Sequence, residues 1–171
     1  VDAVLHEFGG RGFAEFKPAL ADLAEDHAPG ALARDLAERL PDWRCLVNSA
    51  AVFTPDDVTA LDPDTFREAM EINARAPAIL AQSYLTHAQA KAGRRVIQVT
   101  DQKLANPNPD FFSYTMSKHA LDATMARLDA PLRNWPAHAR HYIRLSLIAR
   151  GAAKAAAMNA WFAFYCDVLD R

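Results

Sequence analysis

Two cysteines, Cys45 and Cys166, are all that 171 residues contain. That excludes a disulfide framework and makes a reducing, cytoplasmic setting the default expectation. Cys45 sits in an apolar run and is expected to be a buried thiol. Long hydrophobic stretches are missing as well. No window approaches 18 uncharged apolar residues, so no membrane span is expected. Neither sign of charge dominates: 19 Lys and Arg face 21 Asp and Glu, a formal net charge of −2. That leaves no electrostatic footprint for nucleic acid or an anionic membrane. The six histidines show no metal-ligand spacing, and no Gly-x-Ser-x-Gly turn occurs. Neither a metal centre nor a Ser-His-Asp hydrolase site is therefore expected. The first residues carry no basic segment followed by an apolar one, so no signal peptide is expected. The chain opens on Val1 rather than Met, so the natural start is expected upstream or to have been removed.

What is present is ordinary for a globular protein: 51% hydrophobic and 23% charged residues, in a length that suits one domain over residues 1–171. Residues 1–8 read as a helix end stopped by Gly9-Gly10, and 12–16 as a short strand. Residues 31–40 read as an amphipathic helix with Leu32, Leu36 and Leu40 on one stripe. Residues 44–48 form an apolar run of the kind shown by a strand buried on both faces, ending in the small residues Ser49, Ala50 and Ala51. Asp62 and Pro63 supply an N-cap and a first-turn proline for a helix reaching about residue 92, with a kink expected at Pro77. Residues 95–100 are the clearest strand. A proline-containing loop, 101–110, leads to a helix over 111–132. Another strand covers 141–148, and a terminal helix covers 152–171.

Strands that alternate with helices of this length indicate a parallel sheet covered by helices on both faces. Ligands of such sheets bind beyond the carboxyl ends of the strands. Residues 48–51, Thr100-Asp101 and 149–151 all fall there.

The helix over 111–132 carries a chemical signal. Tyr114 and Lys118 are four residues apart, so a helix places them on one face, one turn apart. A free phenol, with a pKa of roughly 10, is a poor acid or base at neutral pH. A nearby cation stabilises the phenolate and makes proton exchange with a carbonyl or imine easier. The spacing alone also suits a solvated surface pair, and the small residues Ser113, Ser117 and Ala120 also suit a closely packed helix with no chemistry.

Taken together, these segments resemble the short-chain dehydrogenase/reductase family over residues 16–151. Tyr114-Thr115-Met116-Ser117-Lys118 is similar to its Tyr-x-x-x-Lys motif. Leu46-Val47-Asn48-Ser49-Ala50-Ala51 resembles its Asn-Asn-Ala-Gly strand end. Ile72-Asn73-Ala74-Arg75-Ala76-Pro77 resembles the helix segment with the catalytic Asn. Residues 143–151 resemble the strand that ends in Pro-Gly beside the nicotinamide. The family usually has a Ser thirteen residues before the Tyr; here that position is Asp101, as in the pteridine and dihydromonapterin reductases.

The resemblance implies an α/β, three-layer Rossmann-like parallel sheet with helices on both faces. It further implies NADPH-dependent reduction of a pterin or similar carbonyl or imine substrate. Tyr114 would donate the proton, and Lys118 would lower its pKa and bind the nicotinamide ribose. Asn73 would hold a relay water, and Asp101 would orient the substrate or share in proton delivery. Asp22, Leu23, Asn48, Ala50, Thr100, Lys118 and Gly151 would contact the cofactor. Phe53 would stack on the pterin, as an aromatic does in that branch. Each role has a plainer counterpart: Phe53 as a residue capping the core, Asn73 as a helix-kinking Asn, Asp101 as a turn-forming Asx residue.

Several departures accompany the resemblance. No Gly-x-x-x-Gly-x-Gly run follows a strand, although such a turn normally holds the pyrophosphate. The first two strands and the last one are missing from the pattern. Ser49, Ala51 and Arg150 replace the expected Asn, Gly and Pro. A non-catalytic remnant acting through association is therefore the alternative, since the long helices over 62–92 and 111–132 are those the family uses for subunit contacts. The strand near Phe13 lacks its usual neighbour in the pattern, and the open sheet edge makes a homo-oligomer, or a rearranged pairing, the expectation.

Overall fold

The computed structural model describes residues 19–91, 94–105, 109–132 and 141–147; for residue 102 and those beyond 124 the backbone alone is described. The expected segments 1–8, 12–16 and 152–171 lie outside the described residues.

Helix α1 spans Ala28–Arg39 and strand β1 spans Cys45–Asn48. Helix α2, Pro63–Met70, continues through a π-helical turn, Glu71–Arg75, into α3, Ala76–His87. Strand β2 is Arg95–Asp101, followed by a 3₁₀ turn, Gln102–Leu104. Helix α4, Phe112–Leu132, leads to strand β3, His141–Leu147. The three strands are parallel in the order β1-β2-β3. Each crossover runs through a helix, as parallel pairing requires. This is the Rossmann-like α/β arrangement expected from the alternation.

The apolar core joins Ala33 of α1, Leu46 of β1, Leu80, Ala81 and Tyr84 of α3, Ala88, and Val96 of β2. In α1 the buried line is Pro29, Ala33 and Ala37, not the leucine stripe expected at 32, 36 and 40. Alanine carries only a methyl group, too small to hold two helices apart, so α1 lies close against α3, and Leu32 packs at the margin of the cluster. Trp43 meets Tyr84 edge-on, with ring centroids 4.7 Å apart, and its indole N–H donates to the Cys45 carbonyl at 2.7 Å.

β2 is buried from Val96 to Thr100. β1 is not buried on both faces as expected: Leu46 and Asn48 are buried, whereas Val47 between them is 41% exposed. The reason is the two-residue period of a strand, which turns Val47 away from the helices that cover its neighbours.

Asp62 caps α2 as expected, its carboxylate accepting from the Thr65 N–H and hydroxyl, both at 2.8 Å. The predicted break near Pro77 takes the form of the π turn just before it. Pro77 has no N–H to offer the carbonyl of residue 73, so the ladder re-registers there. The long helix ends at His87 rather than near 92.

Register sets the site. β1 pairs only through Asn48 with Gln98, whereas β2 continues beside β3 to Asp101. Val99, Thr100 and Asp101 therefore run past the end of β1 and border a gap above Asn48.

Candidate functional site

Two tight attachments shape that gap. On the β1 side, the Asn48 side chain donates to the Pro77 carbonyl at 3.2 Å, which fixes the strand end to the start of α3. On the β2 side, Asp101 closes the strand: its Oδ1 accepts the Lys103 N–H at 2.9 Å and turns the chain into the 3₁₀ segment. The other carboxylate oxygen, Oδ2, accepts the Tyr114 hydroxyl at 2.9 Å.

Tyr114 and Lys118 share the inner face of α4 and are both buried. The Lys118 ammonium donates to the Val99 carbonyl at 3.0 Å and lies 5.5 Å from the centre of the Tyr114 ring. The expectation that Lys118 lowers the Tyr114 pKa is not met in this arrangement. Burial raises that pKa, the hydrogen bond to Asp101 raises it further, and the Asp101 charge adds to both. A hydroxyl that donates to a carboxylate is stabilised in its protonated form. Lys118 is itself lowered by burial, against an opposing pull from the Asp101 charge.

Asn73 is fully buried in the π turn. Its Oδ1 accepts the Val52 N–H at 2.8 Å, and its Nδ2 donates to the Val52 carbonyl at 2.9 Å and the Ser117 hydroxyl at 3.0 Å. Ser117 in turn donates to the Tyr114 carbonyl at 2.7 Å. The Asn73 side chain thus fastens the loop after β1 to α4.

Phe53 sits in that loop, 52% exposed. One face stacks on Phe111, with centroids 3.9 Å apart and planes at 10°, and Tyr114 meets it nearly perpendicular at 4.6 Å. Phe53 therefore lies half-exposed against the Tyr114 ring.

Four further participants carry no legible sequence signal. Phe111 adopts a left-handed backbone (φ 57°) just before α4, a conformation a bulky residue adopts only under constraint. Lys103 is buried, donates to the Asp110 carbonyl at 2.8 Å and lies 4.9 Å from the Phe111 ring centre. Asp56 accepts the Ser113 N–H at 3.0 and 3.2 Å and also the Ser113 hydroxyl. Asp56 and Ser113 are 57 residues apart, beyond any local pattern.

The cofactor candidates are less gathered. Thr100 is buried at the end of β2. Ala50 is exposed just past β1. Leu23 packs against the apolar core. Asp22 is exposed and accepts the Ala24 N–H at 3.0 Å, which shapes the turn before α1. Arg75 of the π turn braces the same turn through the Ala24 carbonyl at 2.8 Å and Asp26 at 3.2 Å. Gly151 lies outside the described residues.

The described residues include no group of three His, Cys, Asp or Glu side chains able to hold a metal ion. No described helix is long and apolar enough to cross a membrane.

The fold has counterparts among solved structures. FolM alternative dihydrofolate reductase 1 from Brucella canis, complexed with NADP, is 29% identical over 78% of this chain and 53% of its own, with a TM-score of 0.67. An angucycline C-6 ketoreductase, LanV, with bound NADP, is 28% identical over 66% of this chain and 46% of its own, with a TM-score of 0.59. A landomycin C-6 ketoreductase structure with NADP and rabelomycin shares the fold at 24% identity, covering 90% of this chain and 64% of its own, TM-score 0.73. The chain spans about half the length of the first two of these proteins. No curated protein matches it. The family model described as short chain dehydrogenase matches residues 1–164, and with nearly its whole length so matched, the chain belongs to the short-chain dehydrogenase family.

Proposed function

We propose that the chain carries the catalytic part of an NADPH-dependent reductase acting on a planar pterin-like carbonyl or imine. The observation that carries this reading is the contact of the Tyr114 hydroxyl with Asp101 (2.9 Å), beside the exposed aromatic surface of Phe53. The likeness to an NADP-complexed alternative dihydrofolate reductase supports the same branch.

The residues present fit the nicotinamide half of the cofactor. Lys118 has three N–H donors, and Val99 takes one of them, which leaves two for ribose hydroxyls. Thr100 and Asn48 border the same gap. When bound, NADPH supplies the hydride. The protein's part is proton delivery and orientation. Burial and Asp101 keep Tyr114 protonated until the substrate arrives. At the reduced C=N bond, Tyr114 would give its proton to the substrate nitrogen. The phenolate left behind faces the Lys118 ammonium across the ring and recovers a proton from solvent. Asp101 orients the phenol, and Phe53 offers its open surface to the heteroaromatic ring. The homo-oligomer expected from the sequence belongs to the same proposal.

The test is NADPH oxidation followed at 340 nm, with millimolar NADPH and a dihydropterin as substrate. Wild-type protein should turn over, and Tyr114→Phe should reduce the rate by about 10²–10⁴-fold, the usual range for removing a positioned proton donor. Equal rates in both proteins would overturn the reading.

A further inference from the structure

The loop between β1 and α2 carries Phe53 to Tyr114, and two side-chain attachments bracket that residue. Asn73 clamps Val52, immediately before it. Asp56, three positions after it, binds the first turn of α4. The second attachment has the form of a helix cap supplied from a distance. The first N–H groups of a helix have no partner within it, and a carboxylate there is also favoured by the helix dipole. The Asp56 carboxylate takes the Ser113 N–H and hydroxyl, and its main-chain carbonyl takes the Phe112 N–H at 3.3 Å. Ser113 is fully buried and precedes Tyr114 directly.

An ordinary cap comes from the residue next to its helix and stabilises that helix alone. This one comes from the loop that carries the aromatic surface. We propose that Asp56 is a positioning residue of the substrate side: it anchors the loop to the start of α4 and so holds Phe53 against Tyr114. The inference rests on the reductase reading for its consequence in binding, and on geometry alone for the placement of the ring.

Beyond Asp56, the loop is shaped by its own turn, in which Asp57 accepts the N–H groups of Thr59 and Ala60 at 2.7 and 3.1 Å. Among the described residues, the side-chain bonds of that turn stay within it. Without the Asp56 carboxylate, this side of the loop keeps only the longer main-chain bond from the Phe112 N–H, and the stack on Phe111 must hold Phe53 against loop motion.

Two readouts on the full chain decide the matter. The first needs no ligand. Phe53 meets Tyr114 edge-on, so its ring current shifts the Tyr114 ring protons, observable by NMR with labelled tyrosine. Asp56→Ala should move those resonances toward their Phe53→Ala positions, and Asp56→Asn, which keeps an acceptor, should largely restore them. Ser113→Ala removes only the hydroxyl donor and should give a smaller movement in the same direction; it also serves if Asp56→Ala fails to fold.

The second readout is the dihydropterin Kd with NADPH present. Asp56→Ala should weaken it about tenfold in a Phe53 background and leave it unchanged in a Phe53→Ala background. Tyr114 resonances unmoved by both Asp56→Ala and Ser113→Ala would overturn the proposal. So would an equal loss of dihydropterin affinity in the two backgrounds, because Asp56 would then act as a helix cap only. A wild-type chain that binds no dihydropterin would instead defeat the reductase reading, while the resonances still decide the role of Asp56.

Discussion

The Tyr114 hydroxyl donates to Asp101 Oδ2 at 2.9 Å, while the Lys118 ammonium is directed to the Val99 carbonyl. The proton of Tyr114 is thus held by an anion rather than loosened by a cation. Its folded-state pKa is raised, with burial the largest cause and Asp101 the next. The phenol of the folded chain should therefore ionise at higher pH than free tyrosine. Asp101→Asn removes the charge and the carboxylate acceptor, so the Tyr114 transition should move to lower pH. Ultraviolet difference titration against Tyr114→Phe measures both. A transition that stays in place in Asp101→Asn would show that Asp101 has no influence on the phenol.

Cys45 offers a stability test. Burial pushes its thiol up to about 11 from a usual value of 9.0, partly opposed by the Arg95 charge. The unfolded thiol ionises first as pH rises, so the unfolded chain binds fewer protons than the folded one between these values. The Cys45 contribution is then complete below about pH 9 and is lost as pH climbs toward 11. Cys45→Ala should flatten the decline in stability over that window, measured by urea unfolding at several pH values. The native thiol should also react slowly with thiol reagents at pH 8, since the thiolate is the reactive form.

Asn73 tests the link between packing and site. Replacing it with Ala leaves both Val52 main-chain groups without their partner. Fully buried orphaned groups cost on the order of 1–3 kcal/mol each; Val52 is half-buried, so Asn73→Ala should lower the urea midpoint by less than that limit implies, with little change in slope. Asn73→Asp keeps the acceptor for the Val52 N–H and should fall between. An unchanged midpoint in Asn73→Ala would mean that the loop is held by other contacts.

Cofactor affinity follows from the missing glycine-rich run. A pyrophosphate needs backbone amides or cationic side chains around it. Losing two or three charge-assisted hydrogen bonds, at roughly 1.5–3 kcal/mol each, weakens binding by several orders of magnitude. NADPH titrated calorimetrically into this chain should therefore bind with a Kd on the order of millimolar. Micromolar affinity would show that the phosphates find another cradle.

Local chemistry made much of this protein legible from its sequence. The apolar run in β2, the Asp62-Pro63 start of α2 and the Tyr114–Lys118 spacing each express a preference that a few adjacent residues settle among themselves. The order of these segments and of the motifs they carry was enough to indicate a parallel α/β sheet and a family. Tertiary structure decided what depends on distant partners. Packing against α3 made Ala33 and Ala37, rather than the leucines, the buried line of α1. Burial and a carboxylate, rather than the lysine one turn away, set the direction of the Tyr114 pKa. Asp56 acquires its role only because the fold brings it to Ser113, 57 residues along the chain. A hydrogen bond between such remote residues leaves no periodicity to read, because its geometry comes from the sheet and helices that carry both ends.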